Sequence, residues 1–187
     1  METRFYIKEK LRKNLFEIIN RNGNSDIWYH GSSKPIKKFL YSMVGKGSDR
    51  ISSYHGWGIY FIKEIERARK YGDVITKMSL SPNANILKDK ITPEQLLLVY
   101  NGLVKENVKL RDNDNEWFNN PTYGEYSILN DVEEFYDYFM RGYRDSFKTI
   151  KDVSDFLLRS GIDGLETTND VNDNILVIFN ENVIEII

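Results

Sequence analysis

Apolar positions recur along the chain with a spacing that changes from segment to segment, and the changes mark out its elements. In residues 3–21, Phe5, Leu11, Leu15, Phe16, Ile18 and Ile19 lie among Lys and Arg close to a helical stripe, and Asn22-Gly23-Asn24 ends it. The stripe predicts an amphipathic helix packed on the domain; a membrane-surface helix would need a cleaner polar face and more Trp or Leu opposite it. Asp26 to Tyr29 reads as a strand ended by Gly31, where glycine permits positive φ or close approach of a ligand to bare backbone amides. Ile59-Tyr60-Phe61-Ile62 is a short run of β-branched and aromatic residues, the composition of a buried strand. The period then changes. Ile65 and Ala68 lie three apart among charged residues and Gly72 follows, which predicts a helix from Lys63 to Tyr71 with Gly72 as its C-cap.

Val74 to Leu80 alternates and reads as a strand, Ser81-Pro82-Asn83 as a turn, and Ala84 to Leu87 as another short strand. Thr92-Pro93-Glu94-Gln95 opens a helix that runs to about Val104, with threonine as N-cap, proline at the first helical position and Gln95 closing a capping box. Residues 125–160 are helical in pattern, with Val132, Phe135, Tyr136 and Phe139 at spacings of three and four, then Val153, Phe156, Leu157 and Leu158 before Ser160-Gly161. The aromatic stripe Phe135, Tyr136, Tyr138, Phe139, Tyr143 resembles a platform for stacking bases, but its spacing makes one buried face and favours core packing. Ile162 to Thr167 reads as a strand, Asn169 to Asn174 as a polar turn, and Ile175–Phe179 and Val183–Ile187 as closing strands. Strands at both ends with helices between them predict a mixed α+β architecture, small packed sheets around a cleft.

Composition narrows the function classes. A chain of 187 residues with 41% hydrophobic residues and 13% aromatics is expected to form one globular domain, residues 1–187, with the helix in residues 1–24 and the core in 26–187. No apolar run approaches the roughly 20 residues of a membrane helix, and the first ten residues mix charges into every turn and lack the apolar core of a secretory signal. With no cysteine, and His30 and His55 as the two histidines, neither a disulfide framework nor a zinc cluster is expected, so the reading is a cytoplasmic, metal-free protein.

Net charge is −2, yet residues 1–50 hold 11 Lys/Arg against 5 Asp/Glu. That asymmetry suits an anionic ligand or a nucleic acid near the N-terminal segment, although a solvated helix face plus a charged loop explains it more simply. A pI near 5.8 argues against a general nucleic-acid binder. Residues 32–56 form a long connection with Lys34, Lys37, Lys38, Lys46 and Arg50; its Gly45-Lys46-Gly47-Ser48 lacks the first glycine and the following helix of a phosphate loop. Arg111 to Glu116 lacks the glycine of a calcium loop, and Tyr123 stands where its final glutamate belongs.

Candidate chemistry gathers in His55 to Tyr71. Tyr60 falls late on a predicted strand and Tyr71 at a helix end eleven residues on, close enough in a tight strand-to-helix hairpin to hold a flat ring between two aromatic faces. Gly56-Trp57-Gly58-Ile59-Tyr60-Phe61 followed by Tyr71 resembles the second motif of the ADP-ribosyltransferases of the diphtheria-toxin and poly(ADP-ribose) polymerase type. Upstream, Trp28-Tyr29-His30-Gly31-Ser32-Ser33 is similar to that family's first motif, about thirty residues before Tyr60. The C-terminal Ile175 to Ile186 is similar to its closing strands, but the position where many members carry glutamate falls on Ile175, or on Asn174 with a one-residue shift. The resemblance spans residues 26 to 187 and is closest to small phage and prokaryotic members.

The resemblance implies a split β-sheet core around an NAD cleft, with an N-terminal helix and a helical insertion, and NAD as co-substrate without a metal. It implies roles for His30 on a ribose hydroxyl, Gly31 on the nicotinamide carboxamide through its backbone, and Ser32 on the adenosine half. Tyr71 would stack on the nicotinamide ring and Tyr60 close its other side. The connection after Ser32 would pass beside the adenosine half, and Ala68 stands where polymerase relatives carry a serine. Breaking the bond from nicotinamide to ribose creates an oxocarbenium-like centre that needs a negative or strongly polar partner. Ile175 supplies none, so single transfer to a macromolecular acceptor is expected and chain synthesis is not, with Glu166 on the neighbouring strand as the candidate replacement. The acceptor is expected to be a host protein in preference to a nucleic acid, in the host cytoplasm if the chain is phage-encoded; the alternatives are an NAD glycohydrolase and an inactive binding or inhibitor protein of the same fold.

Overall fold

The computed structural model describes residues 27–46, 55–88, 91–110, 132–168 and 174–187. The helix expected in residues 3–21, residues 47–54 of the long connection, the loop expected at 111–116, the first residues of the helical pattern, 125–131, and residues 169–173 of the expected turn lie outside the described residues. The strands are β1 (Trp28–Ser32), β2 (Ile59–Ile62), β3 (Val74–Leu80), β4 (Ile86–Leu87), β5 (Gly164–Thr168), β6 (Asn174–Ile178) and β7 (Ile184–Ile186). The helices are α1 (Ile65–Ala68), which continues as a 3-10 turn over Arg69–Tyr71, α2 (Pro93–Lys105), α3 (Val132–Gly142) and α4 (Ile150–Arg159). This is an α+β fold.

Several boundaries shift from those the pattern predicts, for local reasons. β1 runs through Gly31 to Ser32, because β3 pairs with it along its whole length, from Trp28 opposite Met78 to Ser32 opposite Val74. Gly72 follows the helix as expected, but its φ of 163° is extended. Its missing Cβ matters through space instead: an added Cβ would lie 2.3 Å from the Ser32 backbone. Among the described residues, the region expected to be helical over 125–160 contains two helices, the second opened by a Thr149–Asp152 capping box like the Thr92–Gln95 box of α2.

The seven strands form one mixed sheet in the order β4-β5-β6-β2-β1-β3-β7, with β4 and β5 parallel and the other neighbours antiparallel. A parallel pair needs a long crossover, and here α2, α3 and α4 lie within it. The helices cover one face, where Tyr60, Ile175, Val177 and Leu165 meet Phe135, Phe139, Phe156 and Leu157; the opposite face buries Trp28, Ile59, Phe61, Leu176 and Ile178 against Phe39 and Val183. Both faces of β2 and β6 are covered, which explains why these strands read as continuous apolar runs.

The separate small sheets of the expectation are therefore joined, but barely. β2 and β6 are in register over four pairs, whereas β1 and β2 share one, Tyr29 with Ile62. The next positions in that register, His30 opposite Phe61 and Gly31 opposite Tyr60, are not bridged. The ladder between the two halves of the sheet thus stops after one pair, and this break, here called the notch, carries the motifs.

Candidate functional site

A side chain spans the notch. The Tyr60 carbonyl accepts a hydrogen bond from His30 Nδ1 at 2.8 Å, in place of a strand partner across the gap. A carbonyl can only accept, so Nδ1 carries the proton and Nε2 is left as the acceptor nitrogen of the neutral ring. The ring is met edge-on by Phe39 at 5.1 Å and by Phe61 at 5.7 Å. Burial lowers the His30 pKa from its ordinary 6.5, partly offset by the bond to the Tyr60 carbonyl.

That depressed value makes a prediction about stability. The fold keeps the ring neutral, so its contribution is complete above pH 6.5 and is lost as pH falls from 6.5 through the lower folded value, because the unfolded chain takes up the proton first. Between about pH 7 and pH 5 the thermal midpoint of the parent is expected to fall more steeply than that of His30→Gln, which has no ring to titrate. Equal slopes in the two proteins would show that His30 is not buried as a neutral group.

Gly31 lies on the opposite side of β1 from the His30 ring, against the helix that follows β2. A Cβ there would come within 1.9 Å of the Ala68 carbonyl oxygen and 3.1 Å of the Gly72 nitrogen, so α1 and its 3-10 extension rest directly on the Gly31 and Ser32 backbone. Only two glycines facing each other permit that approach. It brings Tyr71 to the notch with its ring 71% exposed, and close enough to Tyr60 that its phenol disfavours ionisation there, adding to the larger effect of burial. Ser32 is used locally: its hydroxyl donates to the Lys34 carbonyl at 2.8 Å and lies 3.4 Å from that of Val74.

Tyr60 is anchored at both ends. Its hydroxyl donates to the Gly56 carbonyl at 2.6 Å, and its ring packs on the helical side of the sheet. Gly56 has φ of 116°, and an added Cβ would meet the Tyr136 hydroxyl at 2.2 Å. The Trp57 N–H donates to Ser154 Oγ at 3.1 Å, which is itself 3.1 Å from the Tyr136 hydroxyl. The first glycine of the Gly-Trp-Gly motif thus answers a backbone that other residues rarely adopt and a phenol pressed against it.

The two positions considered for a carboxylate are elsewhere. Ile175 is 6% exposed and sits between Ile62 and Thr167 in the core under the helices. Glu166 shares a row of the sheet with Leu176, Phe61 and His30, so three strand spacings, about 14 Å, separate it from the histidine. Its carboxylate pairs with Lys88 at 3.3 Å on the far side of β5. The structure therefore places His30, Gly31, Ser32, Tyr60 and Tyr71 around one break in the ladder, with the His30 ring on the face of Phe39 and Phe61 and the Tyr60 ring on the helical face, and brings neither Ile175 nor Glu166 to His30. Asn174 is exposed at the start of β6.

Sequence reasoning passed over Tyr41, Ser154 and Asp155. Tyr41 donates from its hydroxyl to Asp155 at 2.7 Å, with the Trp57 carbonyl at 3.4 Å, and from its backbone to Glu181 at 2.5 Å, which fastens the segment after β1 to α4 and to the turn before β7. The Thr149-Ile-Lys-Asp152 cap signal locates the start of α4, but no spacing in the chain indicates that Ser154 meets Trp57 or that Asp155 meets Tyr41. Among the described residues no group of three His, Cys, Asp or Glu side chains is arranged to hold a metal ion, and no helix is long and apolar enough to cross a membrane.

No protein-family model and no curated protein matches the chain. Among solved structures, one described as "Crystal structure of an anti-CRISPR protein" aligns over 86% of this chain and 94% of its own, with 17% sequence identity and a TM-score of 0.35.

Proposed function

We propose that the protein is an NAD-dependent mono-ADP-ribosyltransferase that modifies a macromolecular acceptor and releases nicotinamide, with the notch between β1 and β2 as its NAD site. The observation that carries this reading is the His30 bond to the Tyr60 carbonyl beside an unbridged Gly31. It leaves one imidazole nitrogen to accept from a ribose hydroxyl, and an edge of backbone where a carboxamide, which both donates and accepts, finds matching groups. The exposed Tyr71 offers a face for a pyridinium ring, a cation on a π-surface. In the reaction the bond from nicotinamide nitrogen to ribose C1′ breaks, its electron pair leaves with nicotinamide, and an acceptor nucleophile bonds C1′ and gives up its proton. His30 and Gly31 orient the two sides of that bond before it breaks.

The burial of Ile175 and the pairing of Glu166 with Lys88 favour an acceptor that brings its own carboxylate, and hence single additions. The same observation favours, as a second reading, a protein of this fold that binds NAD without turning it over. Calorimetry addresses the shared step. The parent is expected to bind NAD, and Tyr71→Ala to weaken binding by about 1–3 kcal/mol with little change in thermal midpoint, because Tyr71 is largely exposed. An absence of NAD binding by the parent would sink both readings.

A further inference from the structure

Two neighbouring residues of α4 reach the two walls of the notch. On one side Ser154, fully buried, holds the Trp57 N–H and the Tyr136 hydroxyl, which fix the turn whose Gly56 carbonyl receives Tyr60. On the other side Asp155 holds the Tyr41 hydroxyl. Tyr41 lies two residues beyond Phe39, whose ring packs on His30, in the segment that leaves β1 after Ser32. Tyr41 is half-buried; its hydroxyl also lies 3.4 Å from the Trp57 carbonyl, and its backbone N–H bonds Glu181. The Asp155 contact, the shorter of the two that the Tyr41 hydroxyl makes, is the clasp that ties the Phe39 segment to the helical layer, 114 residues away in sequence.

We propose that Asp155 is a positioning residue for the site: through Tyr41 it keeps Phe39 seated on His30 and so sets where the free imidazole nitrogen stands. The inference rests on the functional reading above for its consequence in catalysis. Asp155 acts on the Phe39 segment through Tyr41, and when that clasp is released Ser154 still holds the Trp57 N–H while the Tyr41 hydroxyl keeps its longer contact to the Trp57 carbonyl. Its exposed partner Lys151 contributes little, because an i,i+4 pair at the surface is largely screened.

The test uses Asp155→Ala, Asp155→Asn and Tyr41→Phe in the full chain. The KM for NAD and kcat are read from nicotinamide release, and the His30 ring is titrated by NMR, where two histidines give two resolvable signals. Asp155→Ala and Tyr41→Phe are expected to raise KM by about five- to tenfold, the scale of one lost hydrogen bond. They should also move the His30 titration upward as the ring gains water. Loss of the Asp155 charge by itself would move it down, so the sign separates the two causes. Asp155→Asn keeps an oxygen for Tyr41 and is expected to restore both readings. Asp155→Ala with an unchanged His30 titration and KM, or Asp155→Asn as impaired as Asp155→Ala, would overturn the proposal. If the parent releases no nicotinamide the functional reading fails, while the His30 titration still decides whether Asp155 positions the ring.

Discussion

His30→Ala is expected to lower nicotinamide release by roughly 10²-fold or more, the scale for losing a group that orients the reacting sugar. The same substitution is expected to cost about 1–3 kcal/mol of stability. It deletes a ring packed against Phe39 and Phe61 and leaves the Tyr60 carbonyl without its donor at the mouth of the notch. Activity must therefore be expressed per folded molecule, with the folded fraction taken from a denaturant titration. A loss of stability of that size with full activity in the remaining folded protein would make His30 a wedge that shapes the sheet and nothing more.

The second large effect concerns Ile175, where the family resemblance places a glutamate. From the sequence alone, Ile175→Glu is expected to raise NAD hydrolysis or permit chain growth. The structure reverses that expectation. Ile175 is 6% exposed among Ile62, Thr167 and the helical core, so a carboxylate there has no partner and no water. A destabilisation of about 3–5 kcal/mol is expected, as for an uncompensated buried charge. Urea unfolding of the variant at neutral pH measures it. A variant as stable as the parent, hydrolysing NAD faster, would mean that position 175 opens onto the substrate.

What the sequence discloses, and what it does not, follows from the range of the interactions. β2, the helix that ends in Tyr71, β3 and the Thr92 cap are legible because local spacing and local hydrogen bonds make them. The aromatic stripe of α3 is legible as core for the same reason: Phe135, Tyr136, Phe139 and Tyr143 are all buried. The motifs at His30 and at Tyr60 meet at the bond from the His30 ring to the Tyr60 carbonyl. That His30 ties β1 to β2 across an unbridged gap is not legible, because it depends on where an antiparallel ladder stops, and no periodicity records that. Glu166 illustrates the limit. A neighbouring strand suggests proximity, but alternation and strand order put it three strands from His30 and beside Lys88. The clasp from Asp155 to Tyr41 and the anchor from Ser154 to Trp57 bridge 114 and 97 residues, and side-chain bonds of that range leave no local signature.

Incubation of the protein with NAD carrying label in its adenosine half, in extract of the cell in which it acts, tests the central claim most directly when nicotinamide release and label on macromolecules are followed together. The account predicts release of nicotinamide with label fixed on an acceptor as single ADP-ribose units, lowered roughly 10²-fold or more in His30→Ala and reduced in Tyr71→Ala. Release of nicotinamide with all label left as free ADP-ribose would contradict transfer, chains of ADP-ribose would contradict single addition, and no release under any condition would contradict the enzymatic reading altogether.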